Sequence, residues 1–91
     1  MKISTLAMHL KSRGWEVYSS TVMTYDAGSS IYNLTFVGDS IGYYLTDYTG
    51  SMYLLADAVA ADFSINDNGT VAVACWGRSF TLPDDSIGVN V

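Results

Sequence analysis

The stretch Ser51-Met52-Tyr53-Leu54-Leu55-Ala56-Asp57-Ala58-Val59-Ala60-Ala61-Asp62 decides how this 91-residue chain is read. Taken as a fourth strand it would continue a β-meander, and taken as a helix it separates a sheet from a hairpin. Its four alanines are strong helix formers, Met52, Leu55 and Val59 recur at spacings of three and four, and Ser51 stands ahead of them. These features favour a helix. On the N-terminal side, Ile31 to Val37 alternates so that Tyr32, Leu34 and Phe36 share a face, and Gly38-Asp39-Ser40 turns the chain into a strand from Ile41 to Tyr48. The β-branched and aromatic run from Trp15 to Tyr25 supplies a strand before the Asp26 to Ser30 turn, completing three.

Further out, Ile3, Leu6, Ala7 and Leu10 have helical spacing, with Ser4 or Thr5 as the cap, Lys11 and Arg13 in the last turn and Gly14 as a left-handed stop. On the C-terminal side, Asp67-Asn68-Gly69 is a hairpin turn between a short strand at Phe63 to Ile65 and a second at Val71 to Trp76. Gly77-Arg78 leads into Ser79 to Leu82, and Pro83 ends that segment. The expected fold is therefore α+β: an N-terminal helix, a three-stranded antiparallel meander, a second helix and a C-terminal β-hairpin. It forms one compact domain over residues 1–83, with a loose tail at 84–91.

Composition narrows the function. Apolar residues make up 49% of the chain and charged ones 14%, so apolar surface is expected to remain for a partner or a second copy, making a homo-oligomer an open possibility. Between Arg13 and Arg78 there is no Lys or Arg, while Glu16, Asp26, Asp39, Asp47, Asp57, Asp62, Asp67 and all seven tyrosines lie inside. Such a region repels nucleic acid and attracts basic protein surfaces. No apolar run approaches the ~20 residues of a membrane span. With no evident secretory signal and Cys75 as the lone thiol, a reducing cytoplasm is the expected setting.

Catalytic patterns are missing from the sequence. Cys75 continues the alternation of Val71 and Val73 as a small core residue, and His9 falls on the helix away from Leu6 and Leu10, so a thiol-imidazole pair has no support. One His and one Cys do not make a structural zinc site. The oxygen-rich Ser64 to Gly69 segment lacks the first and twelfth ligands of a calcium loop, which here are Ser64 and Cys75. The glycines are isolated and no lysine follows them, which leaves no phosphate loop. No metal or cofactor is expected, and the chain reads as a non-enzymatic binding module.

Two resemblances bear on this. Leu6, Leu10, Lys11, Gly14 and Trp15 resemble the opening of HicA-type messenger-RNA-cleaving toxins. Those would continue with a catalytic histidine in a basic sheet, whereas the remainder here is acidic and holds no histidine, so the likeness supplies only a helix-to-strand opening. The helix with Leu6 and Leu10, the strands around Leu34 and Tyr43, and the Ser51 segment follow an element order similar to that of small acidic phage anti-CRISPR proteins. That resemblance implies a phage-encoded inhibitor acting in the host cytoplasm, covering a basic surface of a bacterial defence or nucleic-acid-processing complex. Asp26, Asp39 and Asp67 are explained by turn chemistry. The expected contact residues are Asp47, Asp57 and Asp62 with Tyr43, Tyr44, Tyr48 and Tyr53.

Overall fold

The computed structural model describes residues 1–82, with the side chain of Phe80 left out. Helix α1 (Ile3–Ser12) buries Leu6 and Leu10 on one face. Its N-cap is Lys2, with no side-chain cap bond, so neither Ser4 nor Thr5 caps it. The C-terminal end closes as anticipated: Gly14 takes φ +98, its N–H donates to Lys11 O (3.3 Å) and the Trp15 N–H donates to Leu10 O (3.0 Å). This is the paired pattern of a Schellman stop. It delivers Trp15 into the core, where its ring lies 5.6 Å from Tyr25 and 6.4 Å from Tyr43.

Five strands follow as an antiparallel meander in chain order: β1 (Glu16–Ser19), β2 (Val22–Asp26), β3 (Ile31–Val37), β4 (Ser40–Thr46) and β5 (Met52–Val59). Two expectations are corrected. The run from Trp15 to Tyr25 is two strands, because Ser19 pairs with Val22 across a Ser20-Thr21 turn. Residues 52–59 are a strand and not a second helix. Tyr43 stands opposite Ala56 and Ile41 opposite Ala58, so the alanines are the small partners that bulky neighbours on β4 require. Tertiary packing here outweighs alanine's helix preference. An irregularity in the β4–β5 register, with Leu55 as the extra residue, breaks the two-residue alternation and leaves Leu55 and Ala56 both buried.

Only the end of the Ser51 to Asp62 segment coils, as a single 3₁₀ turn (Ala60–Asp62) in which Asp62 Oδ2 accepts the Val59 N–H at 3.0 Å. That turn leads to a second antiparallel sheet, β6 (Phe63–Ile65), β7 (Val71–Cys75) and β8 (Arg78–Leu82), with the expected Asn66 to Thr70 turn between the first two. The fold is therefore mostly β, with one α-helix among the described residues, and not the two-helix α+β arrangement. One hydrophobic cluster joins Leu6 and Leu10 of α1, Tyr32, Leu34, Ile41 and Tyr43 of the large sheet, and Phe63, Val71, Val73 and Leu82 of the small one. Helix and small sheet lie side by side over the same face, tied by His9 Nε2 to Gly69 O at 2.7 Å. His9 is thus half-buried and bonded instead of simply exposed. The expected tail at 84–91 and the stop at Pro83 lie outside the described residues.

Strands β7 and β8 meet through a two-residue turn, Cys75 pairing with Arg78 across Trp76-Gly77. Trp76 has φ +55, the one positive value outside glycine among the described residues, and its side chain is 60% exposed. Tight hairpin turns of this hand favour Asn, Asp or Gly at that position, so a bulky indole there carries strain.

Candidate functional site

With α1 and the small sheet on one side, the other side of the five-stranded sheet has no described element over it. The register of the strands orders its side chains into transverse rows. Glu16, Thr24, Asn33, Tyr44 and Leu54 form one; Asp26, Ile31, Thr46 and Met52 form the next; Val22, Thr35, Gly42 and Asp57 form a third. Met52 (61%), Leu54 (45%) and Ile31 (41%) are substantially exposed. No Lys or Arg occurs anywhere on these strands. An open sheet face that combines exposed apolar groups with carboxylates and no cation has the composition of an interaction surface.

The face is not flat. A groove of about 440 Å³ runs over β1 to β4 and is lined by Glu16, Tyr18, Val22, Thr24, Asp26, Ile31, Asn33 and Thr46. Its floor is stiffened where Asn33 Nδ2 donates to Thr46 Oγ1 at 3.0 Å. Asp26 is held by its own turn, Oδ1 accepting the Gly28 N–H at 2.8 Å. Beside the groove, Tyr44 lies flat along β4. A Cβ placed on Gly42 would come within 2.7 Å of the Tyr44 Cε1, so the missing side chain at Gly42 makes the shelf on which that ring rests.

The seven anticipated contact residues separate. Tyr44 and Asp57 do stand on the open face. Tyr43 does not: it is completely buried, stacked on Tyr32 with ring centroids 5.8 Å apart, and is unavailable to a partner. Asp62 is occupied with the 3₁₀ turn. Tyr48 sits in the β4–β5 loop at 88% exposure, and Tyr53 is exposed but directed to that loop, its hydroxyl donating to Asp47 Oδ2 at 3.1 Å.

Asp47 organises the loop. Its Oδ1 accepts the Thr49 hydroxyl (2.5 Å) and the N–H groups of Thr49 (2.9 Å) and Ser51 (3.0 Å). The Thr49 hydroxyl is the leading cause that holds this carboxyl below its ordinary value of 3.8; desolvation opposes it, and the Ser51 and Thr49 N–H groups and the Tyr53 hydroxyl add to the lowering. A lowered folded-state value means that the carboxylate stabilises the fold above the ordinary range and loses that contribution as pH falls through the folded value. Asp47→Asn is therefore expected to lower the melting temperature at neutral pH, and the gap from wild type should close towards about pH 2. Thermal melts of both proteins across that range test this; a gap that persists in acid would contradict it.

Glu16, Tyr18, Thr24, Ile31, Asn33, Met52 and Leu54 were not anticipated. Alternation along β3 already placed Ile31 and Asn33 opposite Tyr32 and Leu34, but which residues of other strands join them follows only from register. Cys75 is buried as expected, its Sγ–H donating to Asp57 O at 3.2 Å. It stands at the far end of β7, about 13 Å of extended strand beyond Val71 and so away from the Gly69 turn to which His9 is bonded. Thiol and imidazole do not meet. Among the described residues no three of His, Cys, Asp or Glu gather where they could hold a metal ion, and no helix is long and apolar enough to cross a membrane. Comparison with known proteins finds no significant match to a family model, a curated sequence or a solved structure.

Proposed function

We propose that this chain is a non-enzymatic protein-binding module whose open sheet face meets a basic surface on another protein. The observation that carries the reading is the pairing of exposure with charge: Met52, Leu54, Ile31 and Tyr18 are uncovered beside Glu16, Asp26 and Asp57, on five strands without a cation. Apolar groups supply area, and the carboxylates select and steer a cationic partner. In biological terms this is an inhibitor, anti-CRISPR-like in role. It would act in the cytoplasm of a host cell by covering a Lys/Arg-lined surface of a defence or nucleic-acid-processing complex. With residues 52–59 forming a strand, the element order that suggested this role no longer supports it; the charge and exposure of the sheet do.

The test is affinity capture from a bacterial lysate, washed at low and high salt, using wild type and a Glu16→Lys/Asp57→Lys double variant. A basic partner retained at low salt should be lost at high salt, and the double reversal should weaken its binding about tenfold or more. A captured partner indifferent to both salt and reversal would overturn the reading.

A further inference from the structure

The groove on the open face also indicates what kind of side chain it receives. Glu16 stands opposite Thr24 on β2, and Asp26 is two residues further along β2 on the same side. Diagonal neighbours of this kind lie about 7 Å apart, which leaves space for one planar cation between two carboxylates. The remaining lining is half apolar or aromatic, Tyr18, Val22 and Ile31, and half short polar groups, Thr24, Asn33 and Thr46. A groove that sets apolar and aromatic groups beside a pair of carboxylates complements a side chain with a hydrocarbon stem and a cationic head.

We propose that this groove is an arginine-binding site, taking an Arg side chain from an extended, basic segment of the partner protein. The stem lies along Ile31, which pairs with Asp26 on the neighbouring strand, and the guanidinium sits between the Glu16 and Asp26 carboxylates with the Tyr18 ring beside it. Arginine fits better than lysine because its planar fork can bond two carboxylates at once and stack on an aromatic ring, whereas an ammonium acts as a point charge. Asp26 is already oriented by the Gly28 N–H, so part of the ordering that binding requires is present in the free protein. The proposal rests on the protein-binding reading of the same face and adds the identity of the recognised group.

The experiment is an NMR titration of the full chain with a short peptide carrying one central Arg, compared with the same peptide carrying citrulline, which keeps the shape and loses the charge. The expected result is saturable shifts of the amides of Glu16, Thr24, Asp26, Asn33 and Thr46, with at least roughly tenfold weaker binding of the citrulline peptide. Glu16→Gln should weaken the Arg peptide several-fold, while Asp67→Asn, which removes an equal charge from the β6–β7 turn, should leave it unchanged. Equal binding of citrulline, shifts elsewhere on the surface, or equal loss with Asp67→Asn would each overturn the proposal. Salt-sensitive capture of a basic partner alongside any of these outcomes would remove the arginine site alone and leave the module's function standing.

Discussion

Ala58→Lys is expected to abolish folding, whereas Val59→Lys, one residue along, is expected to leave a folded protein. On a helix spanning residues 51–62 the two would exchange roles, because Val59 shares the stripe of Met52 and Leu55 and Ala58 lies off it. On β5 the order inverts: Ala58 faces the core opposite Ile41 and is buried, while Val59 is 42% exposed. An unpartnered ammonium in the core costs about 3–5 kcal/mol, most of the stability available to a domain of this size. Urea unfolding followed by circular dichroism would measure both; a stable Ala58→Lys protein would refute the strand.

The adjacent tyrosines on β4 give the second large contrast. Tyr43→Ala removes a completely buried ring that stacks on Tyr32 and packs near Trp15, and should cost about 3–5 kcal/mol, the range for deleting a core aromatic. Tyr44→Ala takes away only the ring lying over Gly42 on the open face, and should change stability by less than about 1 kcal/mol. It should instead weaken partner capture, since Tyr44 lies between Asn33 and Leu54 in the middle row. Equal destabilisation by the two substitutions would contradict the assignment of the two rings to opposite faces of β4, and a larger cost for Tyr44→Ala would mean that the faces are exchanged.

These contrasts also mark how far the sequence could be read. Helix α1, its Gly14 stop, the Ile31 to Val37 alternation and the Asn66 to Thr70 turn were legible because each rests on local chemistry: spacing, glycine conformation or turn hydrogen bonding. Residues 52–59 were not, because the extra residue at Leu55 breaks the alternation that signals a strand, and the alanines that suggest a helix are there to accommodate Tyr43 and Ile41 from a neighbouring strand. The break at Ser20-Thr21 was concealed for a related reason, since it carries neither Gly nor Pro. On the candidate site, the absence of Lys and Arg between Arg13 and Arg78 leaves all five strands of the large sheet without a cation, and Tyr44 and Asp57 stand on its open face. Tyr43 was misassigned because two adjacent residues on a strand face opposite ways, and composition holds no information about which faces out. The groove residues come from four strands, so only their register could assemble them.

The Trp76-Gly77 turn bears on the population of folded molecules. A bulky residue in the left-handed region costs about 1 kcal/mol relative to one that adopts it freely, and that figure corresponds to roughly a fivefold larger unfolded fraction at equilibrium. Because the turn belongs to the small sheet, this reserve of stability can be recovered without altering any row of the open face. A chain with Asn at position 76 is accordingly a background in which destabilising substitutions on the large sheet could be tolerated long enough to be measured.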